Sequence, residues 1–225
     1  MSETIKKDSF VNIMLKYILI ILMIILLCDF IQKKAKSYKN KKKGRIGEKA
    51  VCKILKKLPA KEYLVLNDVL LKTKNGTVQI DHIVLSEYGI FVIETKNYSG
   101  LIFGNGFAPK WKQRIGKSYL GEIDNPILQN KAHIYALMNT LDINTSDIFL
   151  PISTFSHNCI LKVNAGTPVV YYDELIQIIK SYRNQKLSKE QVIAYTKILQ
   201  LSNINSRKNL RKHIKYVQSV RYSVR

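Results

Sequence analysis

Two apolar strands joined by a short turn constrain the fold of this chain more than any other feature. They are predicted at Val78 to Leu85 (VQIDHIVL) and Ile90 to Thr95 (IFVIET). The segment between them, Ser86 to Gly89, has the length and composition of a hairpin connection. Both strands are apolar at successive positions, which indicates burial on both faces. We therefore predict central strands of a sheet that is covered by helices.

The elements around this hairpin predict one α/β domain over residues 44–203, with a mixed sheet flanked by helices. Helical spacing over 44–58 ends before Pro59, and Asn125-Pro126 has the cap and first-turn residues of another helix. Ser188 and Gln191 form a capping-box pattern at the start of a later helix. The other predicted elements are strands at 63–71, 148–155 and 159–163, short edge strands at 101–103 and around Trp111, and helices at 125–141, 172–182 and 188–201.

An uninterrupted apolar run from Tyr17 to Cys28 precedes this domain. Extended to residues 11–31, it has about the length that a helix needs to cross a bilayer, and we predict a transmembrane anchor over residues 1–32. The alternatives are a cleaved signal peptide, which lacks a small-residue cleavage site here, and a buried soluble helix. A basic block at 33–43 follows as a juxtamembrane linker and predicts a cytoplasmic domain.

The net charge of +21 comes from 37 Lys and Arg against 16 Asp and Glu. Much of it lies in two blocks without acids, Lys33 to Arg45 and Arg207 to Arg225, the second within a predicted tail at 204–225. Such blocks bind nucleic acid or anionic lipid non-specifically, or simply keep a tail soluble. Three scattered cysteines, Cys28, Cys52 and Cys159, argue against a disulfide scaffold and a zinc cluster.

Polar residues interrupt the apolar pattern where burial is expected. Glu48 lies on the inward stripe of the first helix, Asp81 shares a face of its strand with Gln79, and Glu94 shares a face of the next with Lys96. A symmetric hairpin sets Asp81 opposite Glu94, and two opposed carboxylates must share either a proton or a cation. Oxygen ligands without His or Cys suit Mg²⁺ or Mn²⁺. The alternative is a structural ion cluster of Asp81, Lys96 and Glu94.

These residues resemble a known family. Asp81 followed by Glu94-Thr95-Lys96 is similar to the PD-(D/E)xK nuclease signature, and Gly44 to Glu48 resembles the GxxxE element of its RecB-like branch. More specifically, the chain resembles the NERD, or nuclease-related, domain. The resemblance rests on QIDH at 79–82, GIFVIETKN at 89–97, Gly100, Trp111, Asn125-Pro126, Gln129 and His133, and it fades after about residue 141.

The resemblance implies a restriction-endonuclease-like fold and metal-dependent phosphodiester cleavage. Asp81, Glu94 and the Thr95 carbonyl would hold the metal with help from Glu48, and Lys96 would act on the attacking water. Gln79, Asn97, Gln129 and His133 would surround the metal or contact the substrate. His133 stands where the family element QxxxY has Tyr, so its role stays open.

Three functions follow as expectations. The first is a membrane-anchored, cytoplasmic, Mg²⁺-dependent nuclease that hydrolyses DNA or RNA, with non-specific affinity from the basic segments. The second is a catalytically silent module of the same fold that binds nucleic acid or a protein partner at the membrane. The third is an adaptor whose basic blocks bind anionic lipid. Trp111, His157 and Cys159 are interpreted as structural residues.

Overall fold

A computed structural model describes residues 2–117 and 119–206, together with Asn209 and His213; it describes no side chains for residues 2–18 and 119. The chain divides into two units, Met1–Arg45 and Ile46–Arg225. Most of the predicted basic tail at 204–225 lies outside the described residues, as do the side chains of the predicted anchor before residue 19.

The first unit consists of helix. Helix α1 runs over Ser2–Leu55 and so continues into the second unit. Residues 33–43, predicted as a juxtamembrane linker, continue the helix, because Lys and Ala favour helix and no proline interrupts them. Large apolar side chains from Leu19 to Ile31 are exposed along it. Among the residues whose side chains are described, no helix has both the length and the apolar character to cross a membrane.

The second unit contains a five-stranded mixed sheet in the order β1-β2-β3-β7-β9. The first three strands are antiparallel, and β7 and β9 continue the sheet parallel to β3. The predicted hairpin of β2 and β3 is confirmed, and both strands lie in the middle of the sheet. The bounds are β1 Leu64–Thr73, β2 Gly76–Ser86, β3 Gly89–Lys96, β7 Phe149–Phe155 and β9 Val169–Tyr171.

Helices cover both faces of this sheet, as the apolar strands predicted. Helices α2 (Pro126–Leu141) and α4 (Lys189–Ser202) contribute Leu137, Leu141, Val192 and Leu199 to the apolar cluster on one face. The end of α1 and helix α3 (Leu175–Ser181) contribute Val51, Leu55, Leu175 and Ile179 to the cluster on the other. The predicted caps are also present: Asn125 caps α2, and Ser188 and Gln191 form a capping box on α4.

A second sheet of four strands, in the order β6-β5-β4-β8, is joined to the first by short connections. Its strands are β4 Gly100–Asn105, β5 Lys110–Ile115, β6 Tyr119–Asp124 and β8 Cys159–Asn164. Strands β6 and β9 were not predicted. The inner face of this sheet packs Ile102, Trp111 and Ile123 against Phe155, so the interpretation of Trp111 as a core residue is confirmed.

The hairpin register is as predicted, but the ladder between β2 and β3 ends early. Its last pair is His82 with Ile93, one position before Asp81 and Glu94 would pair. Ile80 and Ile83, three residues apart, both pack into the same apolar cluster, so the alternation of side chains along β2 is interrupted between them. Opposite the interruption, Asp68 of β1 has the left-handed backbone angle φ 54°.

The only tryptophan in the sequence reports on the second sheet. A Cβ added at Gly104 would lie 2.3–2.5 Å from three ring atoms of Trp111, which is fully buried. We expect Gly104→Ala to lower the free energy of unfolding by about 1–3 kcal/mol and to shift Trp111 emission to the red. Denaturant unfolding followed by fluorescence measures both.

The matched control is Gly106→Ala, because the nearest atom to a Cβ at Gly106 is 3.9 Å away. This variant should unfold at the midpoint of the wild type. Identical midpoints and emission for Gly104→Ala would contradict the close packing of Gly104 on Trp111.

A buried histidine gives the fold a pH dependence. His82 is 2% exposed, its Nδ1 lies 2.7 Å from Asn67 Oδ1, and its Nε2 is buried without a described hydrogen-bond partner. Burial lowers the pKa of His82 to about 4, against the opposing attraction of Glu94 and Asp68. The stability that the neutral ring contributes is therefore full above the unfolded pKa of about 6.5 and is lost as the pH falls towards 4.

The unfolding free energy of the wild type falls between about pH 7 and about pH 4.5, partly because His82 becomes protonated on unfolding. We expect this fall to be about 2–3 kcal/mol smaller in His82→Leu. Urea unfolding at both pH values measures the difference between wild type and variant. Val84→Ala, on the same strand, is the control: it loses stability by a similar amount at both pH values. An unchanged pH dependence in His82→Leu would show that His82 does not stay neutral in the fold.

Candidate active site

The end of the β2–β3 ladder is filled by a carboxylate. The backbone N–H of Thr95 donates a hydrogen bond of 2.8 Å to Asp81 Oδ2, at the point where the backbone pairing has stopped. Asp81 therefore takes the place of a ladder acceptor and is drawn into the sheet. The predicted direct opposition of Asp81 and Glu94 is replaced by this contact between a side chain and the backbone.

Lys96, at the end of β3, connects the sheet to helix α2. Its Nζ donates to Glu94 Oε1 and to Gln129 Oε1, both at 2.6 Å. Lys96 and Glu94 are both largely buried. Burial lowers the pKa of Lys96, but the nearby Glu94, Tyr98 and Asp81 outweigh it and raise the pKa above its ordinary value, so the amine stays charged at neutral pH.

The predicted helix face of Gln129 and His133 does meet this pair. Asn125, the cap of α2, donates from Nδ2 to the carbonyls of Asn105 and Ala108 and thereby ties the start of the helix to the β4–β5 loop. His133 Nδ1 lies 3.6 Å from Glu94 Oε2, too far for a hydrogen bond. Burial lowers the pKa of His133, and the attraction of Glu94 opposes this, so a neutral ring faces the carboxylate.

Helix α1 approaches the same end of β3 through a glycine. A Cβ at Gly47 would lie 2.6 Å from Tyr172 Oη and 2.9 Å from the Asn97 side chain. Only a residue without a side chain allows the helix to come this close. The next residue, Glu48, is then near enough to Asp81 for its charge to act on that carboxyl group.

The charges of the two neighbouring acidic side chains act on the protonation of Asp81. Burial raises the pKa of Asp81 well above its ordinary value, and the charges of Glu94 and then Glu48 raise it further. The Thr95 N–H and Lys96 oppose this shift. The structure thus brings Glu48, Asp81, Glu94 and Lys96 together, although their roles in chemistry remain predictions.

Tyr172 is a residue of this site that the sequence analysis missed. It lies just after β9, and its hydroxyl donates a 3.0 Å hydrogen bond to the Lys96 carbonyl. Burial raises the pKa of Tyr172, with further contributions from Cys159, Asp81 and Glu48. Its position directly after a strand and before a helix was the available signal, but strand β9 was not predicted.

Two predicted site residues have other contacts. Gln79 donates from Nε2 to Asp68 Oδ1 at 2.6 Å, on the far side of the interrupted pairing. Asn97 Oδ1 accepts hydrogen bonds from Ser156 Oγ at 2.8 Å and from Asn158 Nδ2 at 3.2 Å. Asn97 therefore joins the end of β3 to the turn after β7, next to the site.

The residues at this site fit a hard divalent cation by their chemistry. The charges of Glu94 and Glu48 raise the cost of ionising Asp81, which a bound cation would relieve. In the arrangement described, however, Glu94 Oε1 is bound to Lys96. Among the described residues, no group of three or more His, Cys, Asp or Glu side chains is arranged to hold a metal ion.

Comparison with known proteins agrees with the geometry. The nuclease-related domain family, NERD, matches residues 43–160, about half of the chain. An uncharacterized protein of Bacillus anthracis is 37% identical over 189 residues, which cover 82% of this chain and 88% of that protein. No solved structure is significantly similar to the chain. The chain therefore belongs to the nuclease-related domain family.

Proposed function

We propose that this protein is a metal-dependent nuclease that hydrolyses phosphodiester bonds in DNA or RNA. The observation that supports the proposal best is the convergence of Glu48, Asp81 and Glu94 with the charged amine of Lys96 where the pairing of β2 with β3 ends. Membership of a nuclease-related family supports the same reading. Asp81, Glu94 and the Thr95 carbonyl would hold Mg²⁺ or Mn²⁺, with Glu48 beside them.

The chain's own residues would orient the reaction. Hydrolysis forms a bond from a water oxygen to phosphorus and breaks the ester P–O bond, and negative charge builds up on the phosphoryl oxygens. A bound divalent ion supplies charge neutralisation and lowers the pKa of water. Lys96 donates to Glu94 and Gln129 here, so it acts as a hydrogen-bond donor and cation, suited to stabilising a phosphoryl oxygen.

The same ion pair favours a second candidate function. Lys96 neutralises Glu94 at 2.6 Å and occupies one of its oxygens. A domain that keeps this pair closed would bind nucleic acid or a protein partner without turnover. Cleavage activity separates the two functions, because the silent module gives none with any metal.

We also propose that the N-terminal helix attaches the protein to a membrane through residues 11–31, with the domain on the cytoplasmic side. Large apolar side chains from Leu19 to Ile31 are exposed along α1, and exposed apolar patches of this kind mark membrane or protein contact sites. The eight basic residues from Lys33 to Arg45 follow directly, as expected beside a cytoplasmic membrane surface.

The first prediction from the site concerns Asp81→Asn. Asn keeps an oxygen that can accept from the Thr95 N–H but removes the charge, so we expect cleavage of labelled DNA and RNA with Mg²⁺ or Mn²⁺ to fall at least about 100-fold. In EDTA the variant should melt no lower than the wild type, because the buried charge it removes is unfavourable.

Asp68→Asn is the matched control. Asp68 is exposed on the neighbouring strand and has a left-handed backbone angle that Asn tolerates. The Asp68→Asn variant should therefore cleave at the rate of the wild type. No cleavage of single- or double-stranded DNA or RNA by the wild type with either metal would sink the nuclease proposal. Full activity in Asp81→Asn would show that the reacting site lies elsewhere.

The membrane proposal predicts the behaviour of a chain without residues 1–32. We expect the complete chain to float with uncharged phosphatidylcholine vesicles and the shortened chain to stay in the soluble fraction, because the exposed apolar side chains are removed. Uncharged lipid and high salt exclude binding through the basic blocks. Equal recovery of both proteins in the soluble fraction would contradict membrane attachment.

A further inference from the structure

We infer that the outer face of the second sheet binds single-stranded nucleic acid. This outer face consists of the side chains that point away from the core on β4, β5 and β8: Leu101, Phe103, Lys112, Arg114, Ile160 and Lys162. It is separate from the carboxylate site and does not depend on cleavage. Bases would stack on Phe103 and Arg114, and Lys112 and Lys162 would contact phosphates.

The strand register places these side chains in two rows. Phe103 pairs with Lys162 of β8 on one side and with Lys112 of β5 on the other. In the next row, Leu101 pairs with Ile160 on one side and with Arg114 on the other. Neighbouring strands are about 4.8 Å apart, so each lysine is one strand away from the aromatic ring.

The other face of the same sheet is already used. Ile102, Trp111 and Cys159 point inwards and are buried in the core beneath the second sheet. Side chains alternate along a strand, so the residues between them point outwards. Ile160 is 64% exposed, and Lys112, Arg114 and Lys162 are exposed as well. No described element covers this face.

An aromatic ring among cations is the arrangement that proteins use for unpaired bases. The exposed Arg114 guanidinium lies over the Phe103 ring, 5.8 Å from its centroid. Bases stack on aromatic rings and on guanidinium planes whatever their identity. In a duplex these base faces are stacked on one another, so the surface favours single strands.

The charge of the outer face complements a phosphate backbone. It carries three cations, Lys112, Arg114 and Lys162, and the neighbouring β6 contributes two acids at its edge: Glu122, opposite Lys112, and Asp124, which forms an ion pair with Lys110. A single strand would lie across β8, β4 and β5 with its bases on the aromatic ring and its phosphates at the lysines. A protein partner or a lipid surface would use the apolar residues Leu101 and Ile160 instead of the ring face.

The outer face is also continuous with the candidate active site in the chain. Strand β4 starts at Gly100, shortly after Lys96 ends β3, and β8 starts at Cys159, shortly after Phe155 ends β7. Asn97 and Ser156 are hydrogen-bonded between these two connections.

The experiment measures binding of a fluorescent oligothymidylate to the full-length chain by anisotropy, in nonionic detergent with EDTA so that cleavage plays no part. Phe103→Leu keeps apolar packing but removes the ring, and we expect it to weaken binding about 5- to 100-fold. Phe103→Tyr should bind like the wild type. Lys162→Ala should lower the dependence of log affinity on log salt by about 0.7, the value for one phosphate contact on a single strand.

Two controls make the result specific. Lys197→Ala removes another exposed lysine, on α4, away from the outer face. It should leave the affinity for the oligothymidylate within about twofold of the wild type, because a general loss of one positive charge does not account for the binding. Unchanged Trp111 emission shows that the sheet beneath Phe103 is intact. Asp81→Asn should bind like the wild type, so loss of cleavage and loss of this surface are distinguishable.

The inference fails if Phe103→Leu and Lys162→Ala bind the oligonucleotide as the wild type does. It also fails if duplex DNA binds as tightly as the single strand and Phe103→Leu changes the affinity for both by the same factor. A third contrary outcome is that the full-length chain does not bind the oligothymidylate, while Phe103→Leu weakens its binding to vesicles of phosphatidylserine and phosphatidylcholine. That result would assign the surface to lipid.

Discussion

The hydrogen bond from the Thr95 N–H to Asp81 Oδ2 determines how the pairing between the two central strands, β2 and β3, ends. Where regular pairing stops, the buried N–H needs another acceptor, and a carboxylate supplies it. The same carboxylate is then held in a dry place beside Glu94 and Glu48, at a cost that shows in its raised pKa. The charged amine of Lys96 offsets part of that cost. The candidate site is thus a place where the sheet gives up regular backbone pairing to hold buried charge.

Much of this arrangement was predictable because short-range patterns determine it. The Ser86–Gly89 turn fixed the register of the hairpin, and Asn125 fixed the start of α2, which places Gln129 and His133 on the face that meets β3. Apolar residues on both faces of β2 and β3 predicted helices above and below. Each of these features depends on residues close together in the chain.

The features that were not predicted have different physical causes. Asp68 adopts a left-handed backbone angle that no local pattern demands, and its side chain accepts a hydrogen bond from Gln79, which was predicted to surround the metal or contact the substrate. The helical conformation of residues 33–43 was not predicted, because the lysines there were interpreted by their charge, whereas their helix propensity carries α1 through this stretch. Strand β9 is only three residues long, and Tyr172 beyond it was missed for that reason.

Tyr172 affects when, during folding, the site can be completed. Its hydroxyl reaches the carbonyl of Lys96 and lies against Gly47, so three segments spread over most of the domain meet at one phenol group. Contacts between residues so far apart in sequence form slowly, because long loops must close first. During synthesis, the contacts of Tyr172 with Lys96 and Gly47 cannot form until the ribosome has released residues well past the family match at 160. A nascent chain would therefore carry all four charged residues before it carries a finished site.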